Sequence, residues 1–81
     1  MDQTKIVNWL TDKLASLLGL DNAAIDLEQS IFTYGLDSSA ALSITGELET
    51  LLDFDLDSTL LWEYPQISKL AEYLVDELAK K

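Results

Sequence analysis

Three adjacent residues offer most of the chemistry in this chain. Asp37, Ser38 and Ser39 stand in the stretch YGLDSSAAL, residues 34–42, between a turn residue, Gly35, and an apolar run of helical period. Asp and Ser at such a junction cap helices. A side-chain oxygen accepts from one of the first free backbone N–H groups, which contributes about 1 kcal/mol. One residue suffices for a cap, and here there are three. The same position suits a second use, because a hydroxyl at a helix N-terminus is exposed and the free N–H groups beside it favour anions. A phosphate ester on one of these serines would sit in a favourable field. Asp37 opposes that field by its own charge and needs another task, such as meeting a partner or an ion. On the residues alone both readings stand, capping only or capping plus an anchoring hydroxyl.

The rest of the composition narrows the chemistry. There is no histidine and no cysteine in the chain. The usual base near neutral pH and the commonest metal ligand are therefore missing. No Ser-His-Asp triad, thiolate zinc site or disulfide framework can be built. The expectation is a protein that does not catalyse. A second acidic stretch, DFDLDSTLLWEY at residues 53–64, imitates a calcium loop with Asp53, Asp55 and Asp57 at alternate positions. Such a loop needs Gly where Ser58 stands and a bidentate Glu where Tyr64 stands. A solvated acidic turn is the better reading, and no metal site is assigned.

Fifteen acidic against five basic residues give a formal net charge of −10. That field repels nucleic acid and anionic membrane surfaces and speeds encounter with basic partners. No apolar run approaches the ~20 residues of a membrane helix. Residues Met1 to Lys5 lack the pattern of a signal peptide. The expectations are a cytoplasmic monomer that binds neither nucleic acid nor membrane. At 81 residues, 48% of them apolar, the chain reads as one domain, 1–81, able to fold alone. A domain of this size buries only about 60% of its unfolded surface.

These residues must be held by helices. Ile6, Val7, Leu10, Leu14, Leu17 and Leu18 recur at three- and four-residue steps and predict a helix over 4–18, capped by Asp2 or Thr4 and ended by Gly19. Residues 20–36 have no clean period and read as a long loop pinned to the core by Ile25, Leu27, Ile31 and Phe32. A second helix is predicted over 38–52, with Ala41, Ile44, Leu48, Leu51 and Leu52 inward and Gly46 inside it. Gly46 either admits another backbone or a partner closely, or is merely tolerated. Ser58 is predicted to cap a short helix over 59–63. Pro65 suits the first position of a last helix over 66–79, which Lys80 and Lys81 complement by charge. Trp62 and Tyr64 read as core aromatics, and Trp9 has no assigned role. The fold class is all-α, a small four-helix bundle of three main helices and one short one with a long first crossover.

Two blocks carry a resemblance. IFTYGLDSSAALSITGELE, residues 31–49, resembles the attachment motif of acyl carrier proteins, with Gly-x-Asp-Ser ahead of an amphipathic helix. LLWEYPQISKLAEYL, residues 60–74, is similar to the aromatic-Pro pair and last helix of the same family. The likeness spans about residues 4–78. It implies that Ser38 carries 4′-phosphopantetheine through a phosphodiester, with Asp37 the adjacent motif residue, and that the thiol of that arm holds acyl groups as thioesters. It also implies docking on the second helix. Leu42, Gly46, Glu47 and Glu49 are the candidate contacts, and Asp37, Glu47 and Glu49 the acids that meet basic partners. Those partners would be a phosphopantetheinyl transferase, a loading enzyme (an adenylating ligase or acyltransferase) and a ketosynthase or other synthase enzymes.

The sequence departs from the family in places. Leucine usually follows the modified serine, where this chain has Ser39, and threonine is common where Gln66 stands. Thr45, Gly46 and Thr50 are expected to make the outer face of the second helix less apolar and less acidic than in many fatty-acid carriers. Asp37, where peptidyl carriers usually have another residue, favours an acyl or polyketide cargo. The start methionine suggests a discrete protein, and an excised module of a larger synthase would look the same. A peptidyl or D-alanyl carrier and an unmodified helical interaction module are the alternatives.

Overall fold

A computed structural model describes residues 2–80 of the 81-residue chain. It contains four α-helices, α1 (Gln3–Leu18), α2 (Ser38–Leu52), α3 (Leu60–Glu63) and α4 (Ile67–Ala79). Among the described residues there is no strand, only an isolated antiparallel bridge between Ser30 and Gln66.

Each main helix follows from its local chemistry. Asp2 caps α1, its carboxylate accepting from the Lys5 N–H at 2.9 Å. Gly19 ends it at φ 69°, a left-handed conformation that costs glycine nothing, and Ala15 O accepts from the N–H groups of Gly19 and Leu20. Ile6, Leu10, Leu14 and Ala15 are buried. Leu17, expected inward, is 49% exposed. The buried face turns toward Ala15 and the half-buried Leu18 in the last turn, which carries Leu17 out to its edge.

A similar rotation changes the inward stripe of α2, which is Ala41, Ile44, Thr45, Leu48 and Leu52. Leu51 lies outside it, and Thr45, expected on the outer face, is only 3% exposed. The Thr45 hydroxyl is satisfied locally by donating to Ala41 O at 3.0 Å. One turn of helix thus hides a polar residue that its type placed outside.

The core joins these stripes to Leu60, Leu61, Ile67, Leu70, Ala71 and Leu74. Fully burying one such Leu or Ile is worth about 1.5–3 kcal/mol. Ser58 does not cap α3. The Asp57 carboxylate does the local work, accepting from the Thr59 N–H at 2.9 Å and from its hydroxyl at 2.7 Å. Asp57 is drawn below the ordinary aspartate pKa, first by the Thr59 N–H and then by the Thr59 hydroxyl. Pro65 is not the first residue of α4. The chain there is still extended, and Pro65 O accepts from the Ile31 N–H at 2.8 Å. Lys80 is the C-cap residue of α4 and lies 3.7 Å from Glu77, and Lys81 lies outside the described residues.

The long loop between α1 and α2 has structure of its own, two 3₁₀ turns at Asn22–Ala24 and Ile31–Tyr34. Ile25, Ile31 and Leu36 bury its apolar side chains. Three hydrogen bonds, the one to Pro65 O included, fasten it to the residues around the start of α4. Ile31 N–H reaches Pro65 O, Ser68 N–H reaches Leu27 O at 3.1 Å, and Gln66 Nε2 donates to Glu28 O at 2.8 Å. Gln66 is therefore a stitch between loop and helix. Tyr34 closes the loop on itself, its hydroxyl oxygen accepting from the Asp26 N–H at 2.8 Å.

Candidate functional site

The fastened loop delivers the chain to Asp37 in one orientation. Gly35 ends the second 3₁₀ turn at φ 90°, a conformation that disfavours any side chain. Leu36 is buried, at 8% exposure, and anchors the next step. Asp37 then takes the extended conformation of an N-cap, and its Oδ1 accepts from the Ala40 N–H at 2.8 Å.

Asp37 is thus the cap, and Ser38 is the first helical residue. The Ser38 side chain is exposed, and its hydroxyl has no hydrogen-bond partner among the described residues. Asp37 Oδ1 and Asp37 O occupy the N–H groups of Ala40 and Ala41. The N–H groups of Ser38 and Ser39 precede the first intrahelical acceptor and remain for an outside one. A phosphate ester on Ser38 fits this arrangement, with a free hydroxyl beside two available donors at the positive end of a 15-residue helix.

The other candidate residues divide between two flanks of α2. Leu42, Gly46 and Glu49 recur at four- and three-residue steps on one flank, and Leu42 is 48% exposed. A Cβ added at Gly46 would meet nothing within 4 Å, so no internal contact requires glycine there. Glu49 is half-buried, and its Oε2 accepts from the Leu56 N–H at 2.9 Å, closing the connector that follows α2. Glu47 falls on the opposite flank, where Lys13 of α1 meets it at 2.6 Å. The structure therefore does not gather Leu42, Gly46, Glu47 and Glu49 into one surface.

Of the two expected core aromatics, Tyr64 packs against the core and Trp62 does not. Trp62 is not a core residue, being 44% exposed and stacked on Phe32 with ring centres 5.3 Å apart. Phe32 belongs to the loop, so the stack joins α3 to the turn that leads into Gly35. No spacing in the sequence signals this pair, because its two members lie in elements without periodicity. Tyr64 is half-buried and stacks on Tyr73 of α4 at 4.6 Å. Among the described residues no three acidic side chains converge to hold a metal ion.

A small helical bundle that leaves the exposed hydroxyls of Ser38 and Ser39 without a partner at a helix mouth offers an anchoring point of the kind a carrier needs. Comparison with known proteins gives the same class. The family model described as the phosphopantetheine attachment site matches residues 8–74. Polyketide synthase PksL of Bacillus subtilis is 34% identical over 77 residues, which is 95% of this chain and 2% of that protein. The highly reducing polyketide synthase VdtX of Byssochlamys spectabilis is 30% identical over 77 residues, 95% of this chain and 4% of that protein. The chain thus spans a small fraction of the length of these curated relatives.

Two solved structures are close in shape. A free-standing peptidyl carrier protein from an uncharacterized Acinetobacter baumannii secondary metabolic pathway superposes with a TM-score of 0.89 at 43% identity, covering 95% of this chain and 96% of that one. An acyl carrier protein from Anabaena sp. PCC 7120, with a variant phosphopantetheinylation-site sequence, gives a TM-score of 0.89 at 37% identity, covering 96% and 89%. This chain belongs to the phosphopantetheine-attachment family of carrier domains, which bind the prosthetic group covalently and are not themselves catalysts. No helix among the described residues is long and apolar enough to cross a membrane.

Proposed function

We propose that Ser38 is the attachment residue and that this domain presents acyl or polyketide intermediates to partner enzymes. The observation that carries this reading is the division of labour at the start of α2. Asp37 caps the helix, which leaves the exposed Ser38 hydroxyl free for ester formation. When bound, the phosphopantetheine arm supplies a thiol, which a chain without cysteine does not have, and holds acyl groups as thioesters. The chain's own residues position and recognise. The N–H groups of Ser38 and Ser39 balance the charge of the phosphodiester. Leu36 and the Asp37 cap fix the point from which the arm departs. Leu42, Gly46 and Glu49 form the flank of α2 offered to a phosphopantetheinyl transferase, a loading enzyme and a ketosynthase. Asp37 and Glu47 are the exposed acids near it, and exposed charge contacts are worth only ~0–1 kcal/mol each, which suits partners that must be released in turn.

A second reading concerns the cargo alone. The likeness at 43% identity to a free-standing peptidyl carrier protein supports an aminoacyl group on the same arm. Loading the modified protein with an adenylating enzyme or with an acyltransferase separates the two.

Attachment is tested by incubating wild type, Ser38→Ala and Ser39→Ala with coenzyme A and a broad-specificity phosphopantetheinyl transferase. Wild type and Ser39→Ala should gain the mass of one phosphopantetheinyl group, and Ser38→Ala should gain none. Modification of Ser38→Ala, or no gain in wild type, overturns the proposal.

A further inference from the structure

A second feature lies outside α2. Tyr64, at the end of α3, stacks on Tyr73 of α4 with ring centres 4.6 Å apart and planes 21° apart. Beside them is an open pocket of about 180 Å³, completed by Lys69, Glu72 and Asp76 of α4. Lys69, Glu72, Tyr73 and Asp76 are spaced at three, four and seven residues from the first, so they form one face of α4.

The charge at this pocket is unbalanced. The ion pairs among the described residues are Lys13–Glu47 and Lys80–Glu77, so neither Glu72 nor Asp76 has a cationic partner there. Tyr73 also senses negative charge. Its phenol is held above the ordinary tyrosine pKa by partial burial first and then by Glu77, with Tyr64 and Glu63 adding to the shift. An aromatic wall with two unpaired carboxylates one helical turn apart is complementary to a flat cation. Guanidinium is planar, stacks on aromatic faces and donates to carboxylates in a fork, whereas an ammonium is a compact and more strongly hydrated charge. The volume accommodates one such group. Lys69, itself exposed, also lines the pocket and repels any incoming cation.

We propose that this pocket is a docking site for an arginine side chain presented by a partner protein, separate from the surface around Ser38. None of Asp37, Ser38, Leu42, Gly46, Glu47 or Glu49 lines it. Binding at this site does not require the prosthetic arm, so unmodified and modified protein bind alike.

The test is an NMR titration of the unmodified, ¹⁵N-labelled protein with a capped peptide containing two arginines, beside its lysine and citrulline counterparts. The arginine peptide should shift the amides of Tyr64, Glu72, Tyr73 and Asp76 most. Combined Glu72→Gln and Asp76→Asn substitution should weaken it about fivefold, as loss of exposed charge contacts implies. Asp21→Asn with Asp55→Asn makes the same change in net charge away from the pocket and should leave affinity within about twofold. Lys69→Gln should tighten binding. Tyr73→Leu, with its fold checked by circular dichroism, should weaken the arginine peptide more than the lysine peptide. The proposal is overturned if the largest shifts fall within residues 37–49 or 53–57, if lysine or citrulline binds equally well, if the two charge controls do not differ, or if no shift develops at millimolar peptide. Because the protein is unmodified throughout, failure here leaves the Ser38 assignment standing, and failure of pantetheinylation leaves this result standing.

Discussion

At the scale of single residues, the start of α2 shows how neighbours of similar type take different tasks. Asp37, Ser38 and Ser39 are all competent caps, and the sequence leaves open which one serves. Backbone geometry decides, because only Asp37 stands in the extended N-cap conformation with its carboxylate 2.8 Å from the Ala40 N–H. Stability and attachment should therefore separate cleanly between adjacent positions. Asp37→Ala should lose about 1 kcal/mol. Asp37→Asn, which keeps the accepting oxygen, should lose little. Ser38→Ala removes an exposed hydroxyl that makes no internal bond and should change stability by less than about 0.5 kcal/mol. Urea denaturation followed by circular dichroism measures all three, with the slope expected to stay constant. A loss at Ser38→Ala as large as that at Asp37→Ala would mean that the serine hydroxyl helps to cap, and the division of labour would fall.

At the scale of elements, periodicity makes the fold readable. α1, α2 and α4 bury apolar side chains at three- and four-residue steps, and the caps at Asp2, Gly19 and Asp37 are marked by residue type. Elements without a period hide their detail. The two 3₁₀ turns of the long loop, the Phe32–Trp62 stack and the stitch from Gln66 to Glu28 O depend on contacts between segments distant in the chain. Thr45 defeats a reading by polarity, because a hydroxyl that bonds its own helix can be buried where its type argues for the surface. Ser38 is legible as a candidate because the junction of a turn and a helix is a local signal. The separation of Glu47 from Leu42, Gly46 and Glu49 follows from the helical period as well, but the pairing of Glu47 with Lys13 of α1 does not, since it depends on how the two helices pack. Two predictions belong here. Gln66→Ala should leave the helices intact but speed amide exchange at Ile31 and Ser68, whose N–H groups complete the same fastening. Exchange unchanged at both would show that buried Ile25 and Ile31 hold the loop without the stitch. Gly46→Ala should stabilise by about 0.5–1 kcal/mol, because a Cβ there meets open space within a helix. If the same variant also slows modification by a phosphopantetheinyl transferase, the glycine serves a partner's close approach.

At the scale of the whole molecule, charge is the dominant unfinished balance. Fifteen acidic residues face five basic ones in a body measuring only 34 × 24 × 19 Å. The screening length is about 30 Å at 0.01 M salt and about 8 Å at 0.15 M. At the lower salt nearly every carboxylate senses every other, and at the higher only near neighbours interact. The folded state concentrates this charge more than the unfolded chain does, so screening should favour folding. The ion pairs Lys13–Glu47 and Lys80–Glu77 are largely solvent-facing, and weakening them by salt offsets little. The melting temperature should therefore rise between these two sodium chloride concentrations. For a domain of this size each 1 kcal/mol gained corresponds to about 4–8 °C. Mild acid should act in the same direction, since carboxylates begin to protonate near about pH 4.5 and lose repulsion. Asp57 works in the opposite direction. Its folded pKa lies below the ordinary value of 3.8, so its contribution is complete above that value and disappears only as pH falls through the lowered one. At about pH 4.5 that contribution is still in place, and the melting temperature in 0.01 M salt should exceed the value at pH 7. The difference should shrink in 0.15 M salt, because screening and protonation relieve the same repulsion. Calorimetry at the four combinations of pH and salt decides the matter. A melting temperature indifferent to salt at pH 7 would mean that local pairing already neutralises the field, and long-range repulsion would have no part in setting the stability of this domain.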